Sequence, residues 1–321
     1  MKRFIASTLA ALAATILCAS ASAQPYPGKP ITLVVSFAAG SGTDSVARIV
    51  AQKVSERLKQ PVVVENKAGA NGQIAAEYMK NAKPDGYTLW MTTNTTHSAN
   101  PSLYKDLRYD PVKDFTPIVF VGDLPFALVV NNDLPVKNLK EFMAYARANP
   151  GKISYATPNS TSLVGSETMK RLGRLDMVAI PYKASPQALT DTMGGTVQMY
   201  IVDLGSGLPN MKANKVRTIA VTPKAGSKLL PGVPPIAAEI PGFDLTSWNG
   251  IFGPAGLPRD VVDTVSKNVQ AVLAEKEVQD KLEAIGFEPK PSKSPEEFQK
   301  YVADQLAHWT QLVKAAGIKP D

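Results

Sequence analysis

The chain has 321 residues, 44% of them hydrophobic, so it is long enough for two lobes and too apolar to be a disordered protein. Its 22 glycines and 26 prolines follow no period, which excludes a collagen-like fibre. Lys and Arg number 35 against 28 Asp and Glu, a net charge of +7 that no single segment concentrates. Because nucleic-acid binding needs a clustered basic face, we predict no nucleic-acid partner.

The first 23 residues predict a signal peptide. A basic start at residues 1–3 precedes an apolar stretch over 4–18, and residues 21–23 are the small residues of a cleavage site. The stretch is too short for a retained anchor, and the residue before Cys18 is too bulky for a lipoprotein signal. Cleavage after Ala23 predicts a periplasmic protein. Since Cys18 is the only cysteine, the mature chain is expected to have no internal disulfide and no cysteine nucleophile.

A first series of strands and helices follows the cleavage site. The β-branched run at 31–37, bounded by Pro30 and Gly40, predicts a buried strand. From Thr43 onward, apolar residues follow the spacing of a helix. Further strands are predicted at 61–65, 86–92 and 118–130, the last interrupted at Gly122 and Asp123. This alternation predicts a largely parallel sheet with helices on its faces.

A second series of the same kind starts after residue 151. Strands are predicted at 152–157, 177–182, 197–202 and 216–221, with a helix over 162–172 and another opened by the cap Ser185 and by Pro186. The C-terminal part is helical, with one amphipathic stretch over 258–285. A capping box at 294–297 begins the last helix.

The residues needed for most enzyme chemistry are sparse. His97, in a polar loop after a strand, and His308 are the only histidines, and no nucleophile elbow accompanies them. No ligand spacing typical of zinc or calcium occurs, and the glycine-rich segment 40–45 lacks the third glycine of a dinucleotide fingerprint. We therefore predict no metal and no cofactor. An exported α/β hydrolase or isomerase remains the alternative class.

Two strand-to-helix loops instead favour anion binding. The loop at 38–44 and the loop at 157–162 each join a predicted strand to a helix, where backbone N–H groups point outward and the helix dipole attracts negative charge. Ordinary capped turns would give the same pattern in each loop alone. Together, in two lobes of an exported protein, they predict a two-jawed clamp for an anion, and neither jaw contains Lys or Arg.

The mature chain resembles a known family over essentially its whole length. Tyr26-Pro-Gly-Lys-Pro-Ile-Thr-Leu-Val-Val35, the Gly40/Asp44/Arg48 segment and residues 61–72 resemble the Bug-type receptors, the substrate-binding proteins of tripartite tricarboxylate transporters. Residues 83–89, 100–104, 109–115 and 253–256 continue the resemblance in order. It implies an α/β fold of the periplasmic binding protein (Venus flytrap) type, each lobe a mixed, mainly parallel sheet flanked by helices. It also implies capture of a small carboxylate in the cleft between the lobes.

Carried over by position, the resemblance assigns the ligand-binding residues. The first jaw runs from Phe37 to Asp44 and is bordered by the loop after the third strand, whereas the second jaw runs from Thr157 to Ser162. The residues expected to bind the ligand are Phe37, Ala39, Gly40, Ser41, Gly42, Thr43, Asp44, Asn94, Thr95, Thr157, Asn159, Ser160, Thr161, Ser162, Lys183 and Asp203. Asp44 is expected to complement the helix dipole and fix its loop rather than to face the anion.

The sequence leaves several points open. Within the second jaw, the stretch at 159–162 is shorter than in the family, which leaves the ligand undecided among dicarboxylates, amino acids, nicotinate-like rings and aromatic acids. We expect a monomer that delivers its ligand to a membrane transporter or a sensor protein. Lobe 1 is expected over 24–121 and 246–321 and lobe 2 over 122–245, with hinge crossings near 122–130 and 245–253.

Overall fold

The computed structural model describes residues 26–320, so the predicted signal peptide, with Cys18, lies outside the described residues. The strands are β1 Ile31–Val35, β2 Val62–Asn66, β3 Thr88–Thr93, β4 Phe115–Leu124, β5 Phe126–Val130, β6 Ile153–Thr157, β7 Met177–Pro181, β8 Met199–Asp203, β9 Arg217–Val221, β10 Ser247–Pro254 and β11 Glu288–Pro289. The helices are α1 Gly42–Leu58, α2 Gln73–Lys80, α3 Asn100–Leu103, α4 Leu139–Ala148, α5 Ser160–Gly173, α6 Ser185–Met193, α7 Leu204–Lys212, α8 Arg259–Leu273, α9 Lys276–Ala284 and α10 Pro295–Ala316. None of these helices is both long enough and apolar enough to cross a bilayer.

The strands form two mixed sheets flanked by helices, which confirms the predicted fold class. The first sheet has the order β11-β4-β10-β3-β1-β2 and the second the order β7-β6-β8-β5-β9. Parallel pairing is less common than expected: among the described strands it accounts for two of five pairings in the first sheet and two of four in the second. The reason is that β10 and β5 lie inside their sheets and run against both neighbours.

The chain passes from the first sheet to the second at Pro125. The predicted interruption at Gly122 and Asp123 is therefore wrong, because both residues stay paired within β4. Proline has no N–H for a sheet ladder, and the Pro125 carbonyl instead accepts a hydrogen bond from Leu204 N at 2.9 Å. Gly122 serves a different purpose: a Cβ there would lie 2.2 Å from the Glu288 carbonyl oxygen on the edge strand.

Helix boundaries follow the capping chemistry. Ser294 Oγ accepts a hydrogen bond from Glu297 N at 3.2 Å, which confirms the predicted start of α10. Residues 258–285 form two helices rather than one, since α8 ends before Ala274 and α9 begins after Glu275. Ser185 lies in the first turn of α6 instead of capping it, so the predicted cap is wrong.

An aromatic cluster fills the core between the first sheet and α10. His97 is fully buried in it, stacked on Phe252 with ring centroids 3.8 Å apart and close to Trp90 and Phe115. Its Nδ1 lies 3.0 Å from Thr96 Oγ1. Burial lowers the pKa of His97 to about 3, so the ring is neutral in the folded protein.

We expect this neutral histidine to make the protein acid-sensitive. In the unfolded chain His97 takes up a proton below about pH 6.5, and the folded protein cannot bind that proton until about pH 3. The free energy of unfolding should therefore fall by up to about 1.4 kcal/mol per pH unit as the pH drops below 6.5. Denaturant unfolding at pH 7.0, 6.0 and 5.0 should show a shallower decline for His97→Leu than for wild type. An equal pH dependence of the free energy of unfolding in the two proteins would contradict the conclusion that His97 is neutral in the folded protein.

Candidate functional site

A small cavity lies between the two sheets, at the carboxyl ends of β1, β3, β6 and β8. We call it the inner cavity, and its volume is about 20 Å³. Its lining consists of Phe37, Ser41, Gly42, Thr43, Thr93, Thr95, Leu124, Phe126, Asn159, Thr161, Ser185, Asp203 and Ser247. A cavity of this size holds about one water molecule.

Four helices begin at the wall of the inner cavity. Ser41 is the N-cap of α1, Asn159 of α5 and Asp203 of α7, while Ser185 lies in the first turn of α6. Parallel strands place the following helices with their N-termini at the same edge of each sheet. The exposed N–H groups and positive dipole ends of four helices therefore surround one small space.

Asp203 is the only charged residue among the described residues that line the inner cavity. It is only 4% exposed and accepts hydrogen bonds from Ser206 N at 2.7 Å and from Ser206 Oγ at 3.0 Å. Burial raises the pKa of Asp203, and the hydrogen bonds from Ser206 oppose that shift only in part. No lysine or arginine in this lining balances its charge.

Two glycines bring the first and second sheets into contact beside Asp203. A Cβ on Gly42 would lie 2.2 Å from Asp203 Oδ1, and a Cβ on Gly205 would lie 2.5 Å from Gly42 Cα. Gly42 N also donates a hydrogen bond to Ser206 Oγ at 3.1 Å. The N-termini of α1 and α7 therefore touch directly, which any side chain at either glycine would prevent.

Asn94 joins the two sheets on the other side of the cavity. Its Nδ2 donates to Thr161 Oγ1 at 3.0 Å, and its Oδ1 accepts a hydrogen bond from the Ser247 hydroxyl. Ser160 Oγ donates to Asn100 Oδ1 at 3.2 Å in the same region. Because the hydrogen bonds made by Thr161 and Ser160 join residues of the two lobes, the structure shows the lobes closed over the inner cavity.

A larger space, which we call the outer cleft, continues from the inner cavity toward the surface. Its volume is about 610 Å³, and it shares Phe37, Ser41 and Ser185 with the inner cavity. Thr157 and Lys183 line the outer cleft. Lys183 is exposed there.

The structure brings most of the expected binding residues to one of these two spaces. Eight line the inner cavity: Phe37, Ser41, Gly42, Thr43, Thr95, Asn159, Thr161 and Asp203. Thr157 and Lys183 line the outer cleft, together with Phe37 and Ser41. Six line neither space: Ala39, Gly40, Asp44, Asn94, Ser160 and Ser162.

Most of the residues outside both spaces make hydrogen bonds of their own. Asp44 accepts hydrogen bonds from Gly40 N at 3.0 Å and Asn66 Nδ2 at 2.8 Å and pairs with Arg48. Burial alone would raise the pKa of Asp44, but the bonds from Arg48 and Asn66 outweigh it and lower that pKa. Asp44 thus fixes the loop that places Gly42. Ser162 Oγ turns away from the cavity and donates to the Ile201 carbonyl at 2.8 Å.

Sequence reasoning missed five cavity-lining residues, which are Thr93, Leu124, Phe126, Ser185 and Ser247. Leu124 and Phe126 flank Pro125, so they lie where the chain changes sheets, and Ser247 begins the strand that follows the return. The sequence predicted Ser185 only as a helix cap. For four of the five, the signal available in the sequence was a position at a predicted crossing or helix start, and Thr93 ends the strand before the loop that was expected to border the first jaw.

His97, the ring considered for catalysis, lines neither space. Within residues 26–320, no group of three or more His, Cys, Asp or Glu side chains is placed to hold a metal ion. The lining of the inner cavity combines serine and threonine hydroxyls, one amide and one carboxylate with the apolar side chains of Phe37, Leu124 and Phe126.

Two α/β lobes with a cleft at the carboxyl ends of their strands define a two-lobed solute-binding protein. Residues 46–318 match the family described as "Tripartite tricarboxylate transporter family receptor", and the chain belongs to this family. Its members are periplasmic solute receptors. The resemblance to Bug-type receptors is thereby confirmed.

Solved structures of similar proteins support this membership. A protein of R. palustris, Rpa4515, solved with adipate, is 34% identical with a TM-score of 0.89, over 92% of this chain and 100% of that one. The periplasmic binding protein BugD is 33% identical with a TM-score of 0.86, over 92% of this chain and 100% of that one. MatC from Rhodopseudomonas palustris, solved with bound malate, is 29% identical with a TM-score of 0.83, over 90% of this chain and 100% of that one.

The contact between Gly42 and Gly205 leads to a testable prediction. We expect Gly42→Ala to keep the stability of the fold, since alanine is a good helix former, but to force the lobes apart at this point. Small-angle scattering should show a larger radius of gyration than for wild type. Gly194→Ala is the matched control, because the nearest atom to a Cβ there is 3.6 Å away. Indistinguishable scattering of the two variants would contradict the prediction.

Proposed function

We propose that this chain is a periplasmic receptor that captures a small carboxylate in the inner cavity and delivers it to a membrane transporter or a sensor protein. The observation that carries the proposal is the convergence of four helix N-termini on a cavity whose described lining has no lysine or arginine. Such an arrangement favours an anion without a salt bridge. The adipate and malate in the solved relatives are of the same chemical class.

The proposed cellular location follows from the family and the leader sequence. Cleavage after Ala23 would release the mature protein into the periplasm, where the family's receptors work. We infer that it works as a monomer that binds without chemical conversion. The support for binding alone is that His97 lies in the aromatic core and His308 lies exposed on α10, so neither ring reaches the cavity.

Particular hydroxyls are positioned to bind the carboxylate. Ser41 Oγ accepts a hydrogen bond from Asp44 N, and Thr161 Oγ1 accepts one from Asn94, so both hydroxyl protons are free to be donated. Thr95 also lines the cavity, and its backbone N–H is already bonded to Thr93 Oγ1. These hydroxyls, with the N–H groups of the helix ends, supply donors for two carboxylate oxygens.

Ligand entry requires the lobes to separate. A cavity of about 20 Å³ cannot contain malate or adipate in the closed arrangement. We propose that the lobes move about the crossing at Pro125 and the returning segment before β10. The first lobe then carries β1 to β4, β10 and β11, and the second carries β5 to β9. Closure over a bound ligand is the usual motion of two-lobed binding proteins.

The binding test uses malate and adipate with calorimetry and thermal unfolding. At about 100 times its dissociation constant, either ligand should add about 2.7 kcal/mol to the free energy of unfolding. Thr95→Val keeps the shape of the side chain and removes only the hydroxyl, so we expect about tenfold weaker binding. Lys183→Gln should change affinity little, because Lys183 is exposed at the outer cleft.

Two controls accompany this test. High salt should weaken wild-type binding only slightly, because no basic cluster steers the ligand. Acid recovered after incubation with the protein should be chemically unchanged. Strong salt dependence, together with normal binding by Thr95→Val and loss of binding by Lys183→Gln, would refute recognition by helix N-termini. Conversion of the acid would favour the hydrolase or isomerase alternative.

Asp203 should make the binding of a plain dicarboxylate depend on pH. A ligand carboxylate in the inner cavity is repelled while the Asp203 side chain is charged. Because the pKa of Asp203 is raised, Asp203 becomes neutral as the pH falls and the repulsion is lost. We expect wild type to bind malate more tightly at pH 5.5 than at pH 8.0. Asp203→Asn keeps the N-cap oxygen for Ser206 N and should bind tightly at both values.

Calorimetry on both proteins at both pH values measures this effect. Protonation of malate itself affects the two proteins equally, so the difference between them reports on Asp203. If Asp203→Asn binds malate more weakly than wild type at both pH values, Asp203 accepts a hydrogen bond from the ligand. The argument that Asp203 repels the ligand is then wrong.

A further inference from the structure

The outer cleft is much larger than the inner cavity and has room for more of a ligand than its carboxylate group. The inner cavity of about 20 Å³ surrounds a single polar group, whereas the outer cleft beside it has about 610 Å³. Small-molecule sites commonly have volumes of about 300–1,000 Å³. The outer cleft alone falls in that range, and Phe37, Ser41 and Ser185 connect it to the inner cavity.

The walls of the outer cleft are largely apolar. Alanine, isoleucine and proline side chains form them: Ala38, Ala68, Ala70, Ile74, Pro158 and Pro181. Among the described residues that line it, Lys183 is the only charged one. Apolar walls with few polar groups are typical of a site that binds the hydrocarbon part of a ligand.

Ile74 is the most exposed of the large apolar side chains in this wall. It is 52% exposed on the first turn of α2, where it folds over Gly69 so closely that a Cβ there would lie 2.5 Å from Ile74 Cδ1. A large apolar side chain held over a cleft gains stability when a ligand removes it from water.

The loop that precedes Ile74 is held in an unfavourable backbone conformation. Ala70 has φ of 45° and Asn71 has φ of 51°, in the left-handed region that disfavours side chains such as that of alanine. Asn71 Nδ2 donates to the Tyr104 hydroxyl at 2.6 Å, and Asn100 Nδ2 donates to the Asn71 carbonyl at 2.9 Å. Side chains thus hold a strained loop against the cleft, and such strain concentrates at ligand-binding sites.

We propose that the outer cleft is a second subsite, which binds the apolar body of a ligand whose carboxylate lies in the inner cavity. This inference rests on the proposed function and narrows the ligand class to acids with an alkyl or aryl chain of several carbon atoms. The inner cavity recognises the charge, and the wall formed by Ile74 and the strained loop recognises the chain. Short acids fill only the first of these subsites.

The test is a calorimetric series of acetate, butyrate, hexanoate and 3-phenylpropionate on the full-length mature protein. In wild type, affinity should rise by about fourfold for each methylene added between butyrate and hexanoate. Ile74→Thr should weaken hexanoate binding about threefold to tenfold and leave acetate binding unchanged. Val63→Thr is the matched control, since Val63 is a 55% exposed β-branched residue outside the cleft, and it should bind like wild type.

The outcomes separate this inference from the proposed function. If acids bind with no dependence on chain length, or if Ile74→Thr binds hexanoate like wild type, the apolar subsite is wrong and the receptor stands. The subsite is equally wrong if malate or adipate binds and no monocarboxylate does. If neither the monocarboxylates nor malate and adipate bind, the proposed function fails and the subsite fails with it.

Discussion

The direction of the parallel strands is the constraint on which the site depends. Strands β1, β3, β6 and β8 all end at the space between the sheets, so the helices that follow β1, β6 and β8 begin there. Their N–H groups have no partners within the helix and must find them elsewhere. Ser41, Asn159 and Asp203 cap these three helices, and all three capping residues line the cavity. An anion site thus results from the topology before any particular side chain is considered.

Typical free energies show that buried helix N-termini and hydrogen bonds stabilise an anion more than an exposed lysine does. A helix N-terminus stabilises a nearby negative charge by about 0.3–1 kcal/mol and by up to about 2 kcal/mol where it is partly buried. A hydrogen bond to a charged group contributes about 1.5–3 kcal/mol. An exposed charge pair, such as Lys183 could make, contributes about 0–1 kcal/mol. The same reasoning makes Asp203 important, because it is the charge buried among these donors.

Much of the architecture was predictable because it depends on local chemistry. The β-branched run of β1, the helical spacing of α1 and the capping box of α10 each specify an element from neighbouring residues alone. The prediction was wrong where the outcome depended on distant partners. Gly122 signalled a break but stays in β4, where it pairs with β10 and β11, and the glycine is needed because β11 leaves no room for a side chain. His97 followed a strand in a polar loop, yet aromatic residues from β4 and β10 enclose it.

The sequence by itself determined the family, the two α/β series and the loops that carry the helix N-termini, because these are encoded in contiguous motifs. Only the tertiary structure decided which residues of those loops line the inner cavity. Ser162 and Asp44 turn to Ile201 and Asn66, whereas Ser185 and Ser247, distant in sequence, turn into the cavity. The physical reason is that each buried hydroxyl, amide or carboxylate must find a hydrogen-bond partner, and the fold alone determines which partner is within reach.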